Sequence, residues 1–510
     1  MIRRIVSILL AFRGLLSAAQ TCESLATFAR PATTITLAES VPAAADRPAH
    51  CRVLGVIKPS GDSSIQFEIW MPSAGWNGKF QGVGNGGYAG SINHPDMSAA
   101  LTSGYATAST DTGHQGGGTD AGWALSHPDK IVDFGHRAIH EMTVTAKAVT
   151  RAFYGEMPRR SYFNSCSNGG RQALMEAQRY PEDYDGIVAG APANYWTHLL
   201  TNAVWDSVAT LADKAAYISS KKLPAIEAAA LAACDSNDGV KDGVIEDPSH
   251  CHFDPSVLQC REAETDRCLT APQLSALKIL YAGSAKFPGY APGGEAEPGG
   301  WAAWITGAAP EQSLMYAFGT QFFKNMVFDN AAWDYHTYNI DRDTRAADDK
   351  LAPILNATNP DLSRFKARGG KLIVYHGWSD AAIPASNALD YYRSVSAKMG
   401  AKQTAQFFRL FMVPGMQHCG GGPGPNDFGQ SGPARGDADH NIGAALERWV
   451  DQGTPPEKII ATKRKDDRNP KGELVRTRPL CAYPLMARYK GQGSTDDAAN
   501  FDCAKSAKPL

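Results

Sequence analysis

Between Tyr162 and Leu174 the chain reads as a short strand, a sharp glycine-assisted turn and a helix, with Ser167 on the turn. That arrangement is demanding, because it fixes a strand-to-helix corner inside an α/β layout and leaves one side chain exposed at the corner. A serine hydroxyl is a poor nucleophile at neutral pH. Enzymes that use one hold it on such a corner, beside helix-terminal N–H groups that can receive an oxyanion. The residues Ser165-Cys166-Ser167-Asn168-Gly169 depart from the G-x-S-x-G elbow at one place, where Ser165 replaces the first glycine. Serine is small enough to fit a position that calls for close packing. The alternative is that Ser167 only caps a helix beginning at Gly169, since serine is a favoured cap and Gly-Gly a common turn. The rest of the chain decides between the two.

At 510 residues the chain is long enough for two or three domains, or for one large α/β domain carrying an insertion. Fifty Lys and Arg against fifty-two Asp and Glu leave a net charge of −2 with no basic block, which excludes nucleic acid and an anionic membrane surface as expected partners. The start, Met1-Ile2-Arg3-Arg4, an apolar run from Ile5 to Phe12, and small residues to Ala19, has the form of an export signal over 1–19. Arg13 interrupts it, and a short first helix of the mature protein is the alternative. Ten cysteines, with no C-x-x-C pair among them, indicate a disulfide framework and hence a secreted or periplasmic location. Ten allow roughly 945 pairings, extending the series for fewer cysteines. Short sequential loops suggest Cys22 with Cys51, Cys234 with Cys251, Cys260 with Cys268, and Cys481 with Cys503. Cys166 and Cys419 are left over.

Ile65–Pro72, Lys79–Val83 and Tyr105–Thr110 are strand-like, and Gly84-Asn85-Gly86-Gly87 forms a glycine-rich loop after the second of them. The loop lacks the Lys-Ser/Thr ending of a phosphate cradle. A helix is expected from Asp133 to about Tyr154, with Ile139, Met142, Val144, Ala148, Val149 and Phe153 turned inward. Asp185–Pro192 reads as a buried strand. From 194 to 365 the pattern changes to helices, Gly/Pro loops and many aromatics, expected to form an inserted lid between two parts of a catalytic domain, 20–193 and 366–510. The regular pattern resumes with Lys371–Gly377, then Asp380, a helix near Ser386–Lys398, a strand at 407–413, and His418. Asp380 and His418 lie just past strand ends and follow Ser167 in the order nucleophile, acid, histidine, which is the α/β-hydrolase order.

A second motif lies in the insertion. Cys234 to Ile245 carries carboxylates at Asp235, Asp238 and Asp242 with glycines at 239 and 243. Hard oxygen ligands on a glycine-rich loop suit calcium, although the spacing is not that of an EF-hand. A solvated acidic turn is the alternative.

Ser167 preceded by Cys166, His418 followed by Cys419, and Asp380 between them resemble the tannase and feruloyl esterase family of secreted serine esterases, which includes mono(2-hydroxyethyl) terephthalate hydrolases. Trp76-Asn77-Gly78, Gly84–Gly87, Met326-Val327-Phe328 and Trp333-Asp334 carry the resemblance along nearly the whole mature chain. It implies an α/β-hydrolase fold with a large lid, a Cys166–Cys419 disulfide, and a structural calcium held by the side chains of Asp235, Asp238 and Asp242 and the carbonyls of Val240 and Val244. It also implies hydrolysis of small aromatic esters, feruloyl and other hydroxycinnamoyl or galloyl, by Ser167, His418 and Asp380. An oxyanion is expected on the backbone N–H of Asn168, with Gly86 or Gly87 second. Tyr316, Phe318, Phe322, Phe323 and Trp333 are candidates to sandwich an aromatic ring. The alternatives are a terephthalate-type hydrolase, a catalytically inactive binding relative, and a peptidase or lipase on the same scaffold.

Overall fold

The structure is a computed structural model that describes residues 20–45, 47–467, 469 and 471–505. The expected export signal, residues 1–19, lies outside the described residues.

Nine strands form the main sheet: β1 (Thr33–Val41), β2 (His50–Ile57), β3 (Ile65–Pro72), β4 (Lys79–Val83), β5 (Ala106–Thr110), β6 (Arg160–Cys166), β7 (Gly186–Gly190), β8 (Lys371–Gly377) and β9 (Phe408–Val413). Their order is β1-β2-β3-β5-β4-β6-β7-β8-β9. The pairs among β1, β2, β3 and β5 are antiparallel, and from β5 onward every pair is parallel. Burial follows that division. Every residue of β5 and β7 is buried, as expected of parallel strands covered on both faces, whereas β1 at the edge is half exposed along its length. This α/β-hydrolase arrangement puts the carboxyl ends of β4, β6, β8 and β9 on one edge, and those ends deliver the Gly84–Gly87 loop, Ser167, Asp380 and His418.

Helix α1 (Ala138–Tyr154) covers one face and ends at Gly155, whose left-handed φ of 80° closes the last turn with an N–H bond to the Arg151 carbonyl. Its inward stripe is rotated from the expected one. Ile139, Met142 and Val149 are buried and Phe153 packs against the core, but Thr143, Thr145, Ala146 and Thr150 are buried too, while Val144 and Ala148 are only partly buried. The buried Thr143 hydroxyl is satisfied by the Ile139 carbonyl and by the Tyr184 hydroxyl, so a threonine can face inward where a purely apolar count would not place it. Helix α2 (Asn168–Arg179) follows β6, and α3 (Ser386–Met399) lies between β8 and β9.

Residues 194–365 add no strand to the main sheet. Their longer helices are Trp196–Leu211, Leu223–Cys234, Ala271–Ala282 and Ile340–Leu355. The apolar interior of this segment runs on into the edge of the sheet: Trp196, Leu200, Phe322 and Met326 share one buried cluster with Tyr88, Phe134, Ala382 and Ile383. Two C-terminal hairpins, Lys458–Arg464 with Leu474–Cys481 and Leu485–Tyr489 with Phe501–Lys505, are the last elements among the described residues. Among the described residues no helix is long and apolar enough to cross a membrane.

Candidate active site

Ser167 has φ 67° and ψ −126°, a conformation that an L-residue with a side chain rarely adopts. The surroundings hold it there. Its N–H donates to the Gly190 carbonyl at 3.0 Å, and its own carbonyl accepts from Arg171 and Ala193 at 3.1 Å each. It stands at the N-cap of α2, yet its side chain makes no capping bond. The hydroxyl instead lies 2.9 Å from Nε2 of His418, which disposes of the purely capping role. Ser165 fits in place of a glycine because its neighbours give way: a Cβ on Gly169 would come within 1.9 Å of the Ser165 Oγ, and one on Gly84 within 2.9 Å.

Nδ1 of His418 is 2.8 Å from Oδ2 of Asp380, a carboxylate that is 3% exposed. Oδ1 of Asp380 accepts from the backbone N–H of Ala382 at 2.8 Å and of Ile383 at 2.9 Å, so this residue is a turn cap and a histidine partner at once. His376, at the end of β8, adds a contact from Nε2 to Oδ2 at 3.2 Å. Nothing in the sequence spacing marks His376. Burial pushes the Asp380 carboxyl up, but the attraction of His418 and hydrogen bonds from both histidines outweigh it and hold the group below the usual carboxylate range. An ionised Asp380 accepts the Nδ1 proton of His418, which leaves Nε2 free to accept from Ser167. The arrangement can therefore draw a proton from the Ser167 hydroxyl. Both strand-end loops are pinned to one turn of the insertion, by Ser379 Oγ donating to the Gly293 carbonyl at 2.7 Å and Gln417 Nε2 to that of Gly294 at 2.6 Å.

Cys166 and Cys419 are joined, with Cα atoms 6.0 Å apart across a separation of 253 residues. The other pairs are Cys22–Cys51, Cys234–Cys251, Cys260–Cys268 and Cys481–Cys503. The Cys166–Cys419 link couples the residue before Ser167 to the residue after His418. By chain entropy it stabilises by about 5 kcal/mol, but its larger consequence is positional, since a misplacement of ~1 Å between reacting groups costs about a hundredfold in rate. Replacing both cysteines by serine is expected to lower kcat about a hundredfold. Serines at 481 and 503 are expected to change the melting temperature and leave kcat alone. Equal kcat in the two double variants would remove the positional argument.

Asn168 is buried in the first turn of α2, where its N–H has no partner within the helix. Its side-chain Oδ1 accepts from Nε of Arg171 at 2.8 Å. Arg171 is itself fully buried, donates to the carbonyls of Gly135 and Phe134, and lies over the rings of Phe134 and Trp196. The glycine loop is tied to the same helix by Asn85 N–H donating to Gln172 Oε1 at 3.0 Å. Gly86 would accept a Cβ in open space, whereas Gly87, at φ 54°, would drive one into the Gly118 carbonyl at 2.2 Å. Asn168 and the Gly86–Gly87 loop are thus both anchored at the start of α2.

The expected aromatic set divides. Phe322, Phe323 and Trp333 are buried core, and Tyr316 packs edge-on against Tyr335. Phe318 stacks on Trp304 with ring centres 6.1 Å apart, and Trp304 meets the His418 ring edge-on at 5.0 Å. Trp304, like His376, is not marked by the sequence. Only the folding of the insertion onto the sheet brings it to His418.

In the acidic loop Asp235 accepts backbone N–H groups of Asp242 and Gly243, and Asp238 accepts that of Val240 at 2.9 Å. Oδ2 of Asp242 is met by Arg476 at 3.2 Å and by Arg478. The three side chains are not drawn into one cluster; among the described residues that degree of clustering is found at His140, Glu176 and Asp183. The donor chemistry still fits a hard cation. Carboxylates and the carbonyls of Val240 and Val244 are all oxygen, Gly239 and Gly243 allow the tight turns at φ 90° and 79°, and burial followed by the Asp242 charge pushes the Asp238 carboxyl up to about 6.

Known proteins place this geometry. A Xanthomonas campestris pv. campestris protein named as an uncharacterized esterase is 45% identical over 96% of this chain and 92% of its own length. A probable feruloyl esterase B-2 of Aspergillus flavus is 35% identical over 86% of this chain and 84% of its own. The crystal structure of feruloyl esterase B from Aspergillus oryzae superposes with a TM-score of 0.86 at 30% identity, covering 95% of this chain and 99% of that one. A tannin acyl hydrolase from Aspergillus niger shares the fold, with a TM-score of 0.73 at 22% identity over 96% of this chain and 94% of its own. Residues 51–504 match the family described as tannase and feruloyl esterase. With a sheet, an elbow and relatives that agree over almost its whole length, the chain belongs to the tannase and feruloyl esterase family and is a carboxylic ester hydrolase.

Proposed function

We propose that the protein is a serine esterase for small esters of aromatic acids, of the feruloyl or other hydroxycinnamoyl class or the galloyl class, working outside the cytoplasm through Ser167, His418 and Asp380. The observation that carries the proposal is the unbroken hydrogen-bond chain from the strained Ser167 through both ring nitrogens of His418 to the buried Asp380. His418 takes the Ser167 proton as Oγ attacks the ester carbonyl, and Asp380 stabilises the imidazolium that forms. The tetrahedral oxyanion rests on the N–H of Asn168, with Gly86 or Gly87 as second donor. His418 then protonates the leaving alcohol, and in the second half it activates the water that releases the acid from Ser167. Trp304 beside His418, with Phe318 stacked on Trp304, supports an aromatic acyl or alcohol group there, and the names of the relatives support the feruloyl class. Methyl ferulate, methyl gallate and mono(2-hydroxyethyl) terephthalate assayed side by side test the substrate class. Turnover of a peptide or long-chain lipid in preference to all three would overturn it.

The same reading gives Asp235, Asp238 and Asp242, with the carbonyls of Val240 and Val244, a structural calcium ion, which when bound supplies a hard-cation crosslink within the insertion. Segment 194–365 is then a lid stapled at its own acidic loop. Chelation is expected to lower the melting temperature, since a ligand at a hundred times its dissociation constant stabilises by about 2.7 kcal/mol. Asp238→Ala is expected to abolish the difference between chelated and calcium-loaded protein in differential scanning calorimetry. An unchanged calcium effect in that variant and in Asp242→Ala would discard the site.

A further inference from the structure

We propose that His140, Glu176 and Asp183 form a separate metal site, one that takes a divalent first-row transition ion such as zinc and ties the helix behind Ser167 to its neighbour. The inference stands independently of the substrate and calcium proposals. Potential ligand atoms of the three residues all lie within 4.8 Å of one another. Glu176, in the last turn of α2, is 1% exposed, and no donor group reaches its carboxylate oxygens; only a proton shared with Asp183 would bond them. An ionised carboxylate in such a place is costly unless something positive meets it. What meets it is Asp183, another acceptor and itself buried, whose Oδ2 lies 2.6 Å from Nδ1 of His140. Two carboxylates facing each other require a proton or a cation between them.

Among the described residues no nearby cation hydrogen-bonds the Glu176 carboxylate, although the Lys147 charge acts on it. Lys147 donates to the Asp183 main-chain carbonyl. Arg179 is held by His136 and the Pro353 carbonyl, and Arg368 by Asp185 and the Pro181 carbonyl. Three further features favour a metal. The His140 ring lies flat on Tyr180, with centres 3.9 Å apart and planes 8° from parallel, so the imidazole is already oriented. The carbonyl end of α2 carries partial negative charge beside Glu176. His140 is partly exposed, which gives an ion a path in and leaves a coordination position for water. One imidazole nitrogen with two carboxylates suits zinc, whereas the all-oxygen loop at 235–244 suits calcium. Glu176 lies nine residues beyond Ser167 on the same helix, about 14 Å along its axis at 1.5 Å per residue. The ion therefore anchors α2 to α1 and to the loop at Asp183, and stands outside the reaction.

The test uses the full chain, stripped with EDTA, returned to excess calcium and titrated with zinc. Wild type is expected to retain one equivalent of zinc through gel filtration and to melt at a higher temperature with it. Glu176→Gln, which keeps the buried shape, and His140→Gln, which changes a partly exposed side chain, are each expected to lose the equivalent and the shift. If Glu176→Gln does not fold, His140→Gln alone decides. Zinc retained equally by wild type and His140→Gln would place the ion elsewhere and overturn the proposal. No zinc retained by wild type would overturn it too, and would leave Glu176 and Asp183 sharing a proton.

Discussion

Ser167→Ala is expected to lower kcat on an aromatic methyl ester by about a millionfold while leaving the melting temperature within a degree or so of wild type. The two halves of that expectation have different origins. In the proposed mechanism the rate falls because the hydroxyl is the atom that attacks, and what is left is the contribution of the oxyanion donors and of binding. Stability changes little because the elbow is held by backbone bonds, from Ser167 N–H to Gly190 and from Arg171 and Ala193 to the Ser167 carbonyl, which alanine keeps. The lost bond to His418 is a partly exposed one worth about 1 kcal/mol at most. Residues that act as one unit are not additive, so Ser167→Ala combined with His418→Ala is expected to be no slower than either alone. Single-turnover kinetics check this. Hydrolysis by Ser167→Ala within a hundredfold of wild type would remove Ser167 from the mechanism.

The elbow was legible in the sequence because a local constraint wrote it: the strand Tyr162–Cys166, the corner and the helix are contiguous, and the glycines at 169 and 170 announce the turn. Asp380 and His418 were legible for another reason, namely that parallel strands end on one edge and chain order therefore predicts neighbours. The four short-range disulfides followed from loop length. What escaped depends on contacts between distant segments. Trp304 reaches His418 only through the packing of the insertion, and His376 joins Asp380 only because the turn after β8 folds back on the strand. The arginines at Asp242 come from a C-terminal hairpin more than two hundred residues away, so the acidic loop is partly neutralised in a way its own sequence does not reveal. The edge pair β1 and β2 escaped as well. The edge strand Thr33–Val41 is half exposed and lacks the apolar runs that marked the buried strands, whereas His50–Ile57 is mostly buried. The separation of Phe322, Phe323 and Trp333 from Phe318 is of the same kind, since all of them look alike as aromatic residues in a helical segment.

Asp380→Asn is expected to lower kcat by about ten-thousandfold with the fold retained. The amide has one oxygen and one NH2 where the carboxylate has two oxygens. Its oxygen is claimed by the N–H groups of Ala382 and Ile383, which Asp380 Oδ1 now satisfies at 2.8 and 2.9 Å. The NH2 group is then turned toward Nδ1 of His418 and can only donate to it. Nδ1 becomes the acceptor, the ring proton moves to Nε2, and Nε2 points that proton at Ser167 Oγ instead of accepting one. The base is present, correctly placed and in the wrong tautomer. Stability carries a separate signature. The Asp380 carboxyl is held below its ordinary range by His418 and His376 against the opposing effect of burial, so its contribution is present above the unfolded-state carboxylate pKa and is lost as pH falls through the folded one. Asp380→Asn has no carboxyl to titrate there. Its melting temperature is expected to fall less steeply than that of wild type as the pH is lowered from about 5 toward 2, through and below the ordinary Asp value of about 3.9. Melting curves across that range, with kcat measured near neutrality, separate the two effects. A variant that keeps kcat within tenfold of wild type would mean that His418 is oriented by something other than Asp380.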